Sequence, residues 1–248
     1  MRALWQLTWT EAKLYLREPS TAFMTLIFPV FLVLIFGSVY GNDPADVDFE
    51  YGDYGFLDTF APGLIAFVIA TSSFLTLSTS LATYREQGTL RRFFVTPLRP
   101  PVIFVAEFAV YVGVTATGAS LLVVIGAVGF GLAAPAAPVS LAVAFLVSTL
   151  SIMSLGVLLG SVAPTARAAE AAGMAIFFPL IFLSGAMVPR ELMPDWMEQA
   201  THVLPLTHVV TLLQDLWIGD GWNLISLGVL AGFTVVAVAI SVRVFRWE

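Results

Sequence analysis

The sequence predicts an all-α integral membrane protein with six transmembrane helices. Three observations carry that prediction. First, 58% of the 248 residues are hydrophobic and only 11% are charged. The mean hydropathy of +0.91 is far above what a water-soluble domain of this size needs. Second, the apolar residues fall in long charge-free runs, each close to or beyond the ~20 residues that cross ~30 Å of hydrocarbon. Third, glycine and proline clusters and short charged stretches cut those runs into six pieces of spanning length.

Residues 1–18 lack the apolar core and small-residue cleavage site of a secretory signal. On a helical wheel Arg2, Gln6, Thr10, Lys13 and Arg17 occupy one narrow arc, and Leu4, Trp5, Trp9, Ala12, Tyr15 and Leu16 lie on the apolar side. A basic strip with two tryptophans predicts a helix lying in the headgroup plane. Pro19 then turns the chain into the bilayer. The expected spans are 20–41, with Pro29 as a kink, then 59–83, 102–128, 139–161, 170–188 and 222–242. No residue from 108 to 166 is charged, and as one helix that run would be about 88 Å long. The breakers of 129–138, Gly129, Gly131, Pro135 and Pro138 among them, therefore divide it in two.

Charge sets the orientation. With the N-terminus inside, Arg2, Lys13, Arg17, Arg85, Arg91, Arg92, Arg99, Arg167, Arg243 and Arg246 are cytoplasmic, and Arg190 alone is outside. That distribution follows the positive-inside rule, and the opposite orientation inverts it. Both termini are then cytoplasmic, and Asp43, Asp46, Asp48, Glu50, Asp53 and Asp58 crowd the first outer loop. The loop is not an EF-hand, because its sixth position is Tyr51 and its twelfth Leu57. Residues 189–221 are expected to form two short amphipathic outer helices on either side of Pro205. Val209, Val210, Leu212, Leu213, Leu216 and Trp217 form the second apolar stripe, and the pair lies on the outer leaflet or dips back into it.

Several chemistries are excluded. No cysteine is present, so disulfides, thiol nucleophiles and cysteine-held metals are ruled out. Lys13, the only lysine, follows Ala12, which leaves no Gly-Lys-Ser/Thr phosphate loop. His202 and His208 are the only histidines, and no His-Glu-x-x-His or Gly-x-Ser-x-Gly pattern occurs. The chain is therefore expected to be no enzyme by itself, with no catalytic residue, metal or cofactor of its own. Gly156 and Gly160 read as a close-packing motif. Glu107 and Glu170 sit near cytoplasmic ends, within reach of the interface.

Residues 84–99 hold the densest group of basic residues between two spans. Thr89 can cap a short helix that Thr96-Pro97 closes, with Leu90, Phe93 and Phe94 on one apolar face and Arg91 and Arg92 beside it. Two readings fit these residues: a helix that docks into a partner's groove, or a positive loop that only orients the protein. A second ambiguity concerns the hydroxyls Ser72, Ser73, Thr76, Ser78, Thr79 and Ser80, with Ser148, Thr149, Ser151 and Ser154. They line a pathway or bond back to the helix and its neighbours.

Arg85-Glu86-x-Gly88-Thr89 followed by Thr96-Pro97-Leu98 resembles the cytoplasmic signature of ABC-2 type permeases. Phe178-Pro179-Leu180-x-Phe182-Leu183-Ser184-Gly185, then Pro189, Pro194-x-Trp196 and Leu204-Pro205-Leu206-Thr207, resembles that family's fifth span and re-entrant outer segment. The resemblance covers 1–248 as a single domain and implies that 1–18 is an elbow helix and 84–99 a coupling helix. It further implies that Arg85, Glu86, Gly88, Thr89, Leu90, Arg91, Arg92, Phe93, Phe94, Thr96 and Pro97 couple the chain to ATPase subunits. The implied partners are two ABC ATPase subunits that carry ATP and magnesium, a second permease copy or close homologue, and membrane lipid, with no nucleic acid. The implied location is the plasma membrane of a prokaryote, and the implied role is export of a hydrophobic or amphipathic molecule, as in daunorubicin-resistance exporters. Export of a polysaccharide, glycolipid or ion by the same architecture stays open, as does an ATP-independent secondary transporter. Phe177, Phe178, Phe182 and Ser184, with Ser72, Ser73 and Thr76, are the expected substrate pathway.

The topology is testable without background labelling, because there is no native cysteine. In intact cells an impermeant maleimide should label cysteines placed at Asp48 and Glu198 but not at Gln87. Labelling at Gln87 inverts the orientation.

Overall fold

The computed structural model describes residues 9, 13, 15, 19–43, 54–88, 100–188, 193–194, 199 and 201–244. Seven helices account for most of them. Helix α1 is continuous through Pro19–Ala22, a π turn at Phe23–Ile27 and Phe28–Tyr40. Helix α2 is Phe56–Glu86, with a π turn at Thr71–Leu77. Then follow α3 (Pro100–Phe130), α4 (Pro138–Val162), α5 (Ala166–Leu183), α6 (Pro205–Ile218) and α7 (Leu224–Val244). All but α6 are long and apolar enough to cross a bilayer by length and composition, and the described residues contain no strand. The all-α class and the six spans hold.

Helix ends differ from the charge-based limits for local reasons. Helix α5 begins at Ala166 rather than 170, because the Thr165 hydroxyl caps it by accepting from Ala168 N at 3.1 Å. Helix α2 begins at Phe56 rather than 59. Asp58 stands in its first turn and accepts from Gly55 N at 3.1 Å, so an acid expected in the outer loop starts the helix instead.

Helix α2 is the centre of the bundle. In its apolar window 89% of residues are buried, against 22–44% in the other five spans. Its neighbours must come close, and they do so through glycine. A Cβ on Gly156 or Gly160 of α4 would strike the carbonyl oxygens of Ser73 and Ser78, and one on Gly173 of α5 would strike that of Phe74. Ser73 and Phe74 lie inside the π turn, where Ser78 N bonds to Ser73 O, five residues back. The wider turn presents its carbonyls to neighbours, and only a residue without Cβ can sit against them. The other π turn follows the same rule. Pro29 supplies no N–H for Thr25 O, and Gly118 of α3 lies against that oxygen, where a Cβ would come within 2.6 Å.

Helix α6 is the second of the two expected outer helices, and it packs into the protein on nearly every side. Leu206, Val209, Leu212 and Leu213 are fully buried, and so nearly is Trp217, all in one core cluster with α2, α4 and α7. The polar face that suggested a surface helix is also inside. His208 is hydrogen-bonded to Ser226 Oγ (3.2 Å) and His202 O (2.9 Å). Of the first outer segment, 192–204, residues 192, 195–198 and 200 lie outside the described residues.

The glycine contacts predict a sharp asymmetry. Gly156→Ala should destabilise the fold by about 1–3 kcal/mol through overpacking, whereas Gly228→Ala, with open space around its Cβ position, should not. Thermal unfolding in detergent measures both, and equal melting temperatures would refute the close approach.

Candidate functional site

The signature residues sit where α2 ends. Gly88 stops the helix with φ of 64°, in the left-handed region, and its N–H bonds to Arg85 O at 3.1 Å. A Cβ there would meet open space, so the glycine is required by conformation rather than by crowding. Arg85 and Glu86 thus occupy the last turn, facing the short connection between α4 and α5. Pro164 shapes that connection, holding Ala163 extended at ψ 128°.

The two side chains divide the connection between them. Arg85 Nη1 donates to the carbonyls of Gly160 (3.1 Å), Ser161 (2.6 Å) and Ala163 (3.2 Å). These oxygens close α4, where the last carbonyls have no partner within the helix and carry its negative pole. Glu86 Oε2 accepts from Ala166 N at 2.8 Å, the first N–H of α5 and its positive pole. Adjacent residues of one helix therefore place a cation on the end of α4 and an anion on the start of α5. Glu86 is exposed and Arg85 half-buried, so screening weakens the glutamate contact more. Beneath them Ala82, Ala163 and Ala169 pack together.

The opposite end of α2 is tied down as firmly. Asp58 is buried, and its Oδ1 accepts from Ala133 N (2.7 Å) and Asn42 Nδ2 (3.2 Å). Asn42 returns the favour by accepting from Asp58 N at 3.1 Å. Gly55 has no side chain with which to cap α2, and an added Cβ would strike Asn42. The cap is thus supplied from the end of α1. Asn42 Nδ2 also lies 3.3 Å from Gly131 O, so one carboxylate–amide pair joins α1, α2 and the α3–α4 connection.

The expected pathway residues do not form one surface. Phe178 and Phe182 are 53% and 48% exposed on the outward face of α5, whereas Phe177 is 3% exposed and Ser184 fully buried. Phe177 packs edge-on to Phe67, ring centroids 5.5 Å apart, and Ser184 Oγ accepts from Ala186 N. Ser72 and Ser73 are fully buried in the π turn and Thr76 is 9% exposed. Ser73 Oγ bonds back to Ile69 O at 2.7 Å, and Ser72 Oγ meets Thr115 Oγ1 at 2.8 Å. Ser151 reaches across to Leu230 O at 2.9 Å, while the buried hydroxyls of Ser148 and Thr149 have no hydrogen-bond partner among the described residues.

Of the expected coupling residues, Arg85, Glu86 and Gly88 are placed as described. Thr89, Leu90, Arg91, Arg92, Phe93, Phe94, Thr96 and Pro97 lie outside the described residues, as do all but Trp9, Lys13 and Tyr15 of the N-terminal helix. Tyr15 donates to Thr25 Oγ1 at 2.8 Å and meets Tyr111 edge-on, which ties this residue to α1 and α3. Glu107 is buried, 4% exposed, and accepts from Ser80 Oγ at 3.3 Å through Oε1. Sequence reading also missed an apolar groove of about 500 Å³ between α3 and α4, lined by Ala119, Val123, Leu141, Phe145, Ile65 and Leu213. The alternating small and large residues there were its only signal.

A model of the ABC-2 type transporter family matches residues 2–217. An Escherichia coli protein named as a probable multidrug ABC transporter permease is 27% identical over 167 residues, 65% of this chain and 45% of the relative. An inner membrane transport permease of Escherichia coli is 29% identical over 145 residues, 57% of this chain and 38% of the relative. This chain thus spans less than half the length of those two proteins. A daunorubicin resistance ABC transporter permease protein of Streptomyces coeruleorubidus is 26% identical over 247 residues, 96% of this chain and 84% of the relative.

The Asp58 network makes a stability prediction. Asp58→Ala removes three accepted hydrogen bonds to a buried carboxylate, each worth about 1.5–3 kcal/mol, and should lower the melting temperature strongly. Asp58→Asn, which keeps an acceptor oxygen, should retain part of the loss. Equal melting of all three proteins would show that the network carries no stability.

Proposed function

The chain belongs to the ABC-2 type transporter family, and on that premise we propose that it is the membrane permease of an exporter driven by ATP hydrolysis on separate ATPase subunits. The observation that carries this reading is the family match over 2–217, in a chain with no phosphate loop of its own. The energy source is then a partner, two ATPase copies binding ATP and magnesium at the cytoplasmic face. Within residues 84–99, the stretch 89–97 is the part that docks them. The apolar face of Leu90, Phe93 and Phe94 supplies the binding energy, since burying one Phe side chain is worth about 1.5–3 kcal/mol. Arg91 and Arg92 fix the register through charged hydrogen bonds.

The cargo in this reading is a hydrophobic or amphipathic molecule. Two of the relatives bear multidrug and daunorubicin resistance names, which favours drugs over polysaccharide. Met174, Phe178 and Phe182 form an outward stripe at i, i+4 and i+8 on α5. A second permease copy meets this stripe, so that the cargo passes between aromatic rings at the dimer axis, where apolar contact area and few polar groups suit it.

Replacing Phe93 and Phe94 together by Ala tests the reading. Membrane insertion should be unchanged, while ATPase co-purification and export both fall by at least about tenfold, as expected for the loss of ~1.4 kcal/mol or more. Full association and export in that variant would leave 84–99 as an orientation signal only.

A further inference from the structure

We propose that Arg85 and Glu86 are positioning residues that lock α2, α4 and α5 into one moving body, rather than contacts for the ATPase. The inference rests on the reading of the chain as an ATP-driven permease. In the sequence this pair belongs to the same run as Arg91 to Phe94, and it is natural to assign all of them to the partner. The geometry assigns them inward. The three carbonyl contacts of Arg85 and the single amide contact of Glu86 are to their own chain, on the α4–α5 connection.

Those contacts sit at one end of a longer seam. From Ser73 to Ser78, α2 is pressed backbone to backbone against Gly156 and Gly160 of α4 and Gly173 of α5. Ala82, Ala163 and Ala169 fill the space between the seam and the clamp. Small residues leave no long side chains to slide or repack, so relative motion of these helices would open gaps at once. A displacement applied where the chain leaves α2 is therefore carried to α4 and α5 together. Helix α5 bears the outward aromatic stripe, so the cargo-facing surface follows the ATPase. The charges matter because they hold the α4–α5 connection, which could otherwise hinge. All three carbonyls are reached from the single nitrogen Nη1, so the three-donor ammonium of Lys can replace part of the contact.

The test uses the full permease with its cognate ATPase and an environment-sensitive bimane label on a cysteine at Ile176, an exposed position of α5. Emission is compared without nucleotide and with magnesium, ATP and vanadate. In the parent the label should respond. In Arg85→Gln and Glu86→Gln the response should fall by at least about fivefold, more in the arginine variant, with ATPase co-purification and basal hydrolysis kept within about twofold. Arg85→Lys should be intermediate. A disulfide between cysteines at Ala82 and Ala163 should leave the parental response intact, because it joins parts that already move together.

Loss of ATPase co-purification in Glu86→Gln would overturn the proposal by making the pair a partner contact. So would an undiminished response in both Gln variants, or a parent that holds ATPase and shows no response, or a disulfide that abolishes it. A parent that co-purifies no ATPase would instead overturn the permease reading, and the clamp's role with it.

Discussion

Burial of α2 on all sides is the constraint to which the rest of the fold answers. A helix inside a membrane bundle has no water to satisfy polar groups, so its backbone and side chains must find partners within the protein. A uniform α-helix would meet that demand with its own ladder. Helix α2 instead widens at Thr71–Leu77, which turns carbonyls outward at its most enclosed point. The cost is met by neighbours that carry glycine at the facing positions and by hydroxyls that bond back within the helix, such as Thr71 to Phe67 O and Ser73 to Ile69 O. The π turn, the Gly156–Gly160 spacing and the serine-rich stretch are thus three aspects of one packing solution.

Much of this was legible in the sequence, and the limits of legibility have physical causes. Hydropathy and charge-free length are properties of the chain itself, so the six spans could be counted and roughly bounded. Helix ends depend on capping partners, which are spatial. Thr165 could have been read as a cap from its place before Ala166, whereas Asp58 starts α2 only because Asn42 arrives from α1 to complete the cap. Helix α6 shows the same limit. Its apolar stripe was seen, but an amphipathic pattern says which face is apolar, not whether the polar face meets water or other protein. His208 bonded to Ser226 and His202 O is polar and inside. For the hydroxyls of α2 and α4 the sequence offered two readings of equal form. Bonding back to the fourth preceding carbonyl leaves no trace in residue order beyond the presence of Ser or Thr. The π turns left no recognised signal at all.

The candidate site was legible in a different way. Arg85, Glu86 and Gly88 were singled out by a resemblance, which attached them to a partner. Geometry separates their tasks. Gly88 provides a left-handed turn, and the two charges address the poles of facing helices. Their order matters as well as their presence. Reversing the pair would set a carboxylate against the carbonyls that end α4 and a guanidinium against the N–H that starts α5, so both contacts would become repulsive.

The two ends of α2 are tied to different partners. At the Asp58 end, the bonds run to α1 and to the α3–α4 connection. In the Arg85 half, Arg85 and Glu86 bond to the α4–α5 connection, and Ser80 Oγ bonds to Glu107 of α3. The helix is therefore bonded to the end of α1 and the α3–α4 connection at one end, and to α3 and the α4–α5 connection in its other half. A push along α2 would strain every bond at the Asp58 end. Both ends of the central helix are thus held by side chains that reach backbone groups of the connections flanking α4.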